Sequence, residues 1–338
     1  TKKRGGETKR GAGAAIPLTH ETRTNMNTQK IAYAAWTDFS EACDGSARAL
    51  LASVGPEKAL AMVERDATMN DSEREKFNSL GSANERNLED ALYVWKGKYR
   101  GREHAQANLA LIERLGGGFL TPEDDEWPVA GNDPHSNPIG LWWRGNMAAG
   151  IPKTHRALAI VGSRDATDYG RHITAEIAFH AANNGVTVVS GGAYGIDARA
   201  HEAALGAESN GCPTMAIMAG GLDRYYPAGN ADLLTQIAAR GIVLSENAPG
   251  KTPTRGRFLA RNRLIAGLAG ATVVTEARWR SGAMTTANHA KAMGRNVGAV
   301  PGSVFSANSA GTHRLIRDGI ASLITIGTEA LNLLDTNI

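Results

Sequence analysis

The sequence predicts an α/β protein, in which a small all-helical domain precedes a doubly wound, mostly parallel sheet of Rossmann-like type. From residue 157 to residue 325, short apolar runs alternate with amphipathic helical segments without a gap. This alternation is typical of βαβ units, whose parallel strands are covered by helices on both faces. Between Gln29 and Gly116, apolar residues instead recur at spacings of three and four, which indicates helices alone.

The predicted strands and helices of the C-terminal half follow one another in a regular order. The strands cover residues 157–161, 186–190, 214–218, 242–245, 271–276, 297–300 and 322–325. The helices between them cover residues 170–183, 197–205, 230–240, 258–269, 285–294 and 311–318. Doubly wound sheets bind their ligands beyond the carboxyl ends of the strands. We therefore expect the functional residues in the loops that follow the strands.

Composition divides the chain into four predicted segments. Residues 1–13 are polar and basic and are not followed by a hydrophobic core, so we predict a disordered tail over residues 1–26 and not a signal peptide. Residues 27–118 form the helical domain. Residues 119–150 are rich in Pro, Asp, Gly and Trp, so we expect an extended connector that packs on the next domain. Residues 151–338 form the Rossmann-like domain.

The overall composition is that of an ordinary globular protein, with 42% hydrophobic and 21% charged residues. No apolar run approaches the roughly 20 residues that a membrane-spanning helix needs. Cys43 and Cys212 fit neither a disulfide framework nor a metal site, and we expect both to be buried and reduced in a cytoplasmic protein. No pattern in the sequence predicts a metal or a cofactor.

Positive charge is concentrated in one stretch of the second half, although the formal net charge of the chain is only +3. Between Ser245 and Arg295 the acids are only Glu246 and Glu276. The bases there are Lys251, Arg255, Arg257, Arg261, Arg263, Arg278, Arg280, Lys291 and Arg295. This clustering predicts a polyanionic partner, with a solvated charged surface as the alternative.

The loops after the first two strands have the composition of anion sites. Gly162-Ser163-Arg164 follows the first strand, and Ser190-Gly191-Gly192 follows the second. Glycines let backbone N–H groups approach a phosphate, and an arginine can bind it with two hydrogen bonds. For Gly191 the alternative is a tight turn that requires glycine. The spacing is not G-x-G-x-x-G and no P-loop is present, so NAD and ATP are not expected.

Three later loops add cations, an aromatic ring and hydroxyls. After the third strand come Arg224, Tyr226 and Asn230, and the tyrosine ring either stacks on a base or packs as a Tyr-Pro turn. After the fourth come Arg261-Asn262-Arg263 on a predicted helix. Residues two apart on a helix diverge, so we predict that one arginine contacts ligand and the other an acid, Glu246 or Glu276. Ser281 and Thr285 lie near a helix start and suit a second phosphate, although N-capping alone explains one hydroxyl.

The sequence offers few signs of a catalytic site. Ser190, Ser281 and Ser303 lack the G-x-S-x-G elbow of a nucleophilic serine. His201 lies inside a predicted helix, which favours a packing role over that of a base. Acids at the strand ends, Glu276 among them, leave hydrolysis open as a reaction class.

Taken together, these loops resemble the DprA/Smf family, the DNA-processing proteins of bacterial transformation. The helical N-terminal segment is also similar to the small helical, SAM-like domain of that family. The matching pieces lie in order and register between about residues 141 and 324: Gly162-Ser163-Arg164, Ser190-Gly191-Gly192-Ala193-Tyr194-Gly195-Ile196-Asp197, Ala200-His201, Gly221-Leu222-Asp223, Tyr226-Pro227, Asn230, Ser245-Glu246, Arg261-Asn262-Arg263, Glu276-Ala277, Ser281-Gly282, Thr286-Ala287, Val300-Pro301-Gly302 and Leu315-Ile316-Arg317-Asp318-Gly319.

The resemblance implies a non-enzymatic protein that binds single-stranded DNA in a positively charged pocket of an extended Rossmann domain. It further implies protection of incoming or recombinogenic DNA, dimerisation through that domain, and loading of the RecA recombinase in natural transformation or homologous recombination. The DNA contacts that it implies fall on Ser163, Arg164, Gly192, Tyr226, Asn230, Asn262 and the arginines beside Asn262.

The sequence departs from the family pattern at three places. Ala228 follows Tyr226-Pro227, where the family often has a base, and we expect Arg224 to substitute for it. His313 stands where asparagine is expected. Many members also carry a C-terminal winged helix, and because the sequence given stops at Ile338, after the last predicted strand, we expect none here.

Two other functions stay open on the sequence alone. Some proteins of related fold bind nucleotides or nucleoside phosphates and cleave N-glycosidic bonds as phosphoribohydrolases. Here Glu276 would be the acid or base and residues 281–286 would hold phosphate, but the P-G-G-x-G-T-x-x-E run of that activity is missing. The third function is a structural module whose arginine-rich loops serve a protein partner.

Overall fold

The computed structural model describes residues 20–81, 87–129 and 137–335. In that part of the chain, helices alone occupy the region up to Arg114, as the spacing of apolar residues predicted. Their bounds are α1 (His20–Phe39), α2 (Gly45–Val54), α3 (Pro56–Glu64), α4 (Asp71–Leu80), α5 (Leu88–Lys98) and α6 (Arg102–Arg114). The first turn of α4 is closed by a capping box, in which Asn70 and Glu73 each bond the other's backbone N–H.

The described strands form one mixed sheet in the order β1-β2-β6-β5-β4-β3-β7-β8-β9. Strands β3 to β9 pair in parallel with one another. Strand β2 pairs antiparallel with both of its neighbours, β1 and β6. The predicted doubly wound, mostly parallel sheet is therefore confirmed. The strands are β1 (Gly117–Leu120), β2 (Leu141–Gly145), β3 (Ala157–Val161), β4 (Thr187–Ser190), β5 (Thr214–Met218), β6 (Ile242–Ser245), β7 (Ala271–Val274), β8 (Asn296–Ala299) and β9 (Ser322–Leu323).

Helices cover both faces of this sheet, which explains why its strands read as continuous apolar runs. Leu158 and Ile160 of β3 pack into the core on one face, whereas Ala159 and Val161 pack into the core on the other. The helices are α7 (Asp168–Asn183), α8 (Ile196–Leu205), α9 (Ala231–Arg240), α10 (Arg255–Gly267), α11 (Gly282–Ala292), α12 (Ala310–Arg317) and α13 (Gly327–Asp335).

The strand order reverses beside β3. The chain runs from β3 through β4 and β5 to β6 on one side, and then crosses to β7 on the other side of β3. The loops after β3 and β7 therefore diverge at the carboxyl edge of the sheet and leave a crevice. This reversal point is where doubly wound sheets bind their ligands.

The predicted connector of residues 119–150 is not an extended linker, because two parts of it are strands of the sheet. Trp142 pairs with Ser245 of β6, and its ring packs 4.5 Å from that of Phe119. Both rings are buried, so the aromatic residues that suggested packing on the next domain complete its sheet instead. Hydrogen bonding to β6 satisfies backbone groups that a linker would leave exposed at the sheet edge.

Three smaller expectations also differ from the structure. Helix α1 begins at His20, inside the predicted tail, because extending an existing helix by a turn costs less free energy than starting a new one. Residues 1–19 of that tail lie outside the described part of the chain. Cys43 is exposed in the turn after α1, whereas Cys212 is buried as predicted. Helix α13 follows the last strand, where the sequence predicted no element. Among the described residues, no helix has the length and apolarity to cross a bilayer.

Candidate functional site

The crevice at the reversal point is a groove of about 670 Å³ at the carboxyl edge of the sheet. Its walls come from the loop after β3, the helix α10 and the loop from β7 to α11. A smaller cavity of about 50 Å³ adjoins it beside the turn after β4 and shares Arg164, Tyr226, Phe258 and Arg261 with it. The site-forming loops of the sequence are thus brought together at one place.

The loop after β3 places an exposed guanidinium at the groove. The N–H of Ser163 donates to the carbonyl of Glu276 at 2.8 Å, and its carbonyl accepts from Ile196 at 3.1 Å. These bonds fix the loop between β7 and α8. Arg164 is exposed, and its guanidinium lies 4.9 Å from the ring centroid of Phe258. Both Ser163 and Arg164 line the groove.

The glycine turn after β4 is shaped around an arginine from α10. A Cβ atom on Gly191 would overlap Nη1 of Arg261 and lie 2.6 Å from Oδ2 of Asp197. Gly192 has φ +64°, a conformation that favours glycine. Both glycines line the small cavity. Ser190 does not belong to the site, because it is fully buried and its hydroxyl donates to the carbonyl of Ile160 at 2.6 Å.

Arg261 lies at the base of the groove. Its side chain is only 5% exposed, and its Nη1 donates to the carbonyl of Ile217 at 2.9 Å. Burial lowers the pKa of Arg261 to about 10, although Asp197 opposes this effect. Burial likewise raises the pKa of Asp197, against the lowering effect of Arg261. The arginine therefore stays charged at neutral pH, with its Nε lacking a partner in the described part of the chain.

Arg263 points away from the groove and does not contribute to it. Its guanidinium donates to both carboxylate oxygens of Glu246, at 2.9 Å for Nη1 to Oε2, and to the carbonyl of Ala42 at 3.1 Å. The predicted divergence of the two arginines is confirmed, with Glu246 as the acid. The prediction that Arg263 contacts the ligand is wrong, because Glu246 neutralises its charge in the interior.

The loop after β5 contributes one aromatic ring. Tyr226 lines the groove, is 50% exposed and lies 6.0 Å from the ring of Phe258. Tyr225 instead packs against Arg144, whose Cζ lies 4.6 Å from the centroid of the tyrosine ring. Asn230 is buried and donates Nδ2 to the carbonyl of Gly192 at 3.0 Å, so it shapes the glycine turn and does not line the groove. Arg224 is exposed but lies outside the lining of the groove.

The start of α11 forms the opposite wall. Ser281 is the N-cap residue but makes no side-chain cap bond, and its buried Oγ has no partner among the described residues. Asn262 also lines this wall and donates Nδ2 to the carbonyl of Gly282 at 3.1 Å. Thr286, and not Thr285, faces the groove, because Thr285 lies on another side of α11. The Thr286 side chain is itself buried and its Oγ1 donates to the carbonyl of Gly282 at 3.4 Å, so it does not supply the hydroxyl that was predicted at Thr285.

The lining residues that were not predicted as site residues include one aromatic residue and three arginines: Phe258, Arg255, Arg278 and Arg280. The three arginines belong to the basic stretch that the charge analysis identified, but no strand end singled them out. Phe258 had a usable signal. Together with Arg261, Asn262 and Ile265 it forms an i, i+3, i+4, i+7 series on α10, and all four residues line the groove.

The candidate catalytic residues are not assembled into a site. His201 is fully buried, and its Nδ1 lies 2.6 Å from Oγ1 of Thr214. Burial lowers the pKa of His201 to about 3, so it is neutral and packs in the core as predicted. Both oxygens of Glu276 accept from Thr167, and this carboxylate lines a different hollow from Ser281. The described residues contain no His, Cys, Asp and Glu group able to hold a metal.

Comparison with known proteins gives a consistent result. The sequence pattern of the family "DNA recombination-mediator protein A" matches residues 118–335. The putative DNA processing protein DprA of Mycobacterium tuberculosis is 47% identical over 239 residues, which are 68% of this chain and 60% of that protein. DprA of Streptococcus pneumoniae is 40% identical over 209 residues, which are 62% of this chain and 71% of that protein. This chain thus spans only about 60% of the mycobacterial relative.

Two solved structures agree with these matches. The crystal structure of DprA from Streptococcus pneumoniae has a TM-score of 0.67 and 28% identity, covering 90% of this chain and 97% of that one. DNA processing protein A from Helicobacter pylori, whose single-stranded DNA binding mode has been described, has a TM-score of 0.57 and 29% identity, covering 66% of this chain and 97% of that one. On the match over residues 118–335 and these relatives, the chain belongs to the DNA recombination-mediator protein A (DprA/Smf) family.

Proposed function

We propose that this chain binds single-stranded DNA in the groove. The observation that carries the proposal is that arginines along the walls and two aromatic rings, Tyr226 and Phe258, occupy one crevice. Guanidinium groups bind phosphates, and unpaired bases stack on aromatic rings. Duplex DNA could use the arginines but not the rings, because its bases are stacked on each other. The Helicobacter pylori relative, described as binding single-stranded DNA, supports the same ligand.

We assign the contacts by position in the groove. Arg164, Arg255, Arg278 and Arg280 are exposed and would bind phosphates, while Arg261 would add charge from below. Hydrogen bonds from Ser163, the amides at Gly191 and Gly192, Asn262 and Ser281 would position the backbone. We assign no contacts to the predicted residues that line neither the groove nor the small cavity, which are Ser190, Arg224, Asn230, Arg263 and Thr285.

A role in recombination follows from this ligand and the family. We infer that the protein protects incoming or recombinogenic single strands and loads a RecA-type recombinase onto them in the cytoplasm, as a homodimer formed through the sheet domain. It would do so without catalysing a reaction, since His201 and Glu276 are committed to internal hydrogen bonds. The role is tested by the rate at which recombinase displaces a single-strand-binding protein from long DNA, with and without this chain.

The binding proposal is tested by fluorescence anisotropy with a labelled oligo-dT at two salt concentrations. If four exposed arginines each neutralise a phosphate, raising salt from about 50 mM to about 200 mM lowers the affinity about 50-fold. Arg164→Ala should weaken binding to all sequences alike and lower the slope of log affinity against log salt by about 0.7. Absence of binding at low salt, or equal affinity for a duplex of the same length, would contradict the proposal.

A further inference from the structure

A second hollow lies beside the groove, between the start of α7 and the loop that joins β8 to α12. It encloses about 560 Å³. The residues that define it are Thr167, Tyr169, Glu276, Gly302, Ser303 and Ser306. None of them belongs to the lining of the groove, so the contacts proposed above leave this hollow without a role.

A narrow bridge of three side chains separates the two spaces. Arg278 donates Nη2 to Oδ2 of Asp165 at 2.6 Å and Nε to Oδ1 of Asn308 at 3.0 Å. Asn308 in turn donates Nδ2 to the carbonyl of Asp165 at 2.6 Å. Arg278 and Asp165 line the groove, while Asn308 lies between Ser306 and Ser309, which line the hollow. A chain that leaves the groove across this bridge therefore enters the hollow.

One exposed aromatic ring, that of Tyr169, lines the hollow, and a second, that of Phe305, stands in solvent on the loop that lines it. The ring of Tyr169 is 51% exposed, and its hydroxyl is held by donation to the carbonyl of Pro301 at 2.7 Å. Phe305 is 97% exposed and follows Val304, which is also largely exposed, between the lining residues Ser303 and Ser306. Val304 and Phe305 are adjacent and together form an exposed apolar patch, and such patches mark contact surfaces.

Charge indicates what kind of group fits this surface. Among the described lining residues of the hollow there is no cation, and one carboxylate, Glu276, lies in its wall. A phosphate would be repelled there, whereas an uncharged aromatic group would not. Arg278 on the bridge is a cation whose pair with Asp165 is solvent-exposed and therefore easily exchanged for a phosphate. An aromatic base attached to a phosphate at the bridge meets both requirements.

We propose that this hollow is a second base-binding site, which holds a nucleobase of the same DNA strand that occupies the groove. Phe305 and Tyr169 stack on the base, and Arg278 binds the phosphate between the two spaces. The proposal rests on single-stranded DNA binding in the groove. It adds that the bound strand continues across Asp165 and Arg278 toward α12.

The test compares Phe305→Ala with wild type on oligo-dT of increasing length, by fluorescence anisotropy at low salt. Oligonucleotides too short to cross the bridge should bind both proteins equally. Once the strand is long enough, we expect Phe305→Ala to bind at least about fivefold more weakly, the loss of one stacked base. An abasic sugar placed at successive positions should reproduce that loss in wild type at one position, and should cause no further loss in the variant.

Two controls separate this proposal from the one on which it rests. Tyr93→Ala removes an aromatic ring that is 82% exposed on α5 of the helical domain, and should change nothing. Arg164→Ala should weaken short and long strands alike. Normal binding by Arg164→Ala contradicts the groove itself. Weakened binding by Arg164→Ala with unchanged long-strand binding by Phe305→Ala overturns only the second site, as does a Phe305→Ala defect confined to self-association.

Discussion

At the scale of single residues, the groove depends on a buried guanidinium that the glycine turn leaves room for. Arg261 occupies the space where a side chain at position 191 would stand. The bond from Arg261 to the carbonyl of Ile217 holds the charge at the base of the groove. The sequence identified both residues but assigned Gly191 only a contact with ligand or a tight turn. Its steric relation to Arg261 joins a loop to a helix 70 positions later in the chain, which no local pattern reveals.

We predict that Gly191→Ala lowers the affinity for single-stranded DNA about tenfold or more, because the new methyl group displaces Arg261 and loses one charged contact. The affinity is measured by anisotropy at low salt, alongside the melting temperature. Gly211→Ala is the matched control, since a Cβ there meets nothing within 4 Å and the backbone is not in the left-handed region. Equal binding by the two variants would show that Arg261 does not act in the groove.

His201 gives a prediction about acid stability. Burial lowers its pKa from 6.5 to about 3, so below pH 6.5 the unfolded chain binds a proton that the folded chain refuses. Stability is therefore complete above pH 6.5 and falls as the pH drops toward 3, by about 1.4 kcal/mol per pH unit. Between pH 7 and pH 5, wild type should lose about 2 kcal/mol more unfolding free energy than His201→Gln. Urea denaturation at both pH values measures this, and parallel losses would contradict it.

At the scale of elements, α10 serves two sides of the molecule. One face carries Phe258, Arg261 and Asn262 into the groove. The other face is bonded to the turn after α1, through Arg257 to the carboxylate of Glu41 at 2.8 and 3.1 Å and through Arg263 to Ala42. The helical domain thus braces the helix that lines the groove.

The Arg263–Glu246 pair should be costly to break from one side only. Both side chains are 5% exposed, so Glu246→Gln leaves a buried guanidinium without its counter-charge. We predict a loss of roughly 3 kcal/mol in unfolding free energy for Glu246→Gln, and a much smaller loss for the double variant Glu246→Leu with Arg263→Met. Chemical denaturation of both variants checks this. A double variant less stable than Glu246→Gln would contradict the argument.

The strands of the parallel sheet were predictable from the sequence, because a strand buried on both faces is a continuous apolar run, whereas their order in the sheet was not predicted. Strands β3, β5 and β6 have the predicted bounds. Strands β1 and β2 were not predicted, since they are short and belong to a segment whose Pro, Asp and Gly content is typical of loops. Their pairing with each other and with β6 is a contact between distant parts of the chain, and sequence spacing carries no information about it.

Sequence spacing also gave only part of the groove, because some of its residues do not follow a strand. Residues that follow a strand were identified because the sheet topology alone brings them to one edge, which holds for Ser163, Arg164 and Ser281. Phe258 lies on a helix and enters the groove from the side. The exclusion of Ser190 and Arg263 depended on which way each side chain points, and only the structure shows that both are satisfied within the core.

At the scale of the whole molecule, the helical domain and the sheet share one apolar core. Trp36 of α1, Phe119 of β1, Trp142 of β2 and Val243 of β6 belong to the same buried cluster. The indole N–H of Trp142 donates to Oγ1 of Thr37 at 2.9 Å, which joins β2 to α1 inside that cluster. The sequence, by contrast, predicted two separate domains joined by a connector. A sequence shows which face of a helix or strand is apolar, but it does not show which other element packs against that face.

A shared core predicts that the full chain unfolds in one transition. Separating the N-terminal helices from the sheet would expose Trp36 on one part and Trp142 on the other. Each part would then lose buried apolar surface, so we expect neither to stay folded without the other. Far-ultraviolet circular dichroism, which follows the helices of both parts, and the fluorescence of Trp36, Trp95 and Trp142, which are buried in the shared cluster, should therefore give the same urea midpoint. Trp142→Ala should lower both midpoints together. Two separated midpoints in the wild-type chain would show instead that the domains are independent and that the brace on α10 is weak.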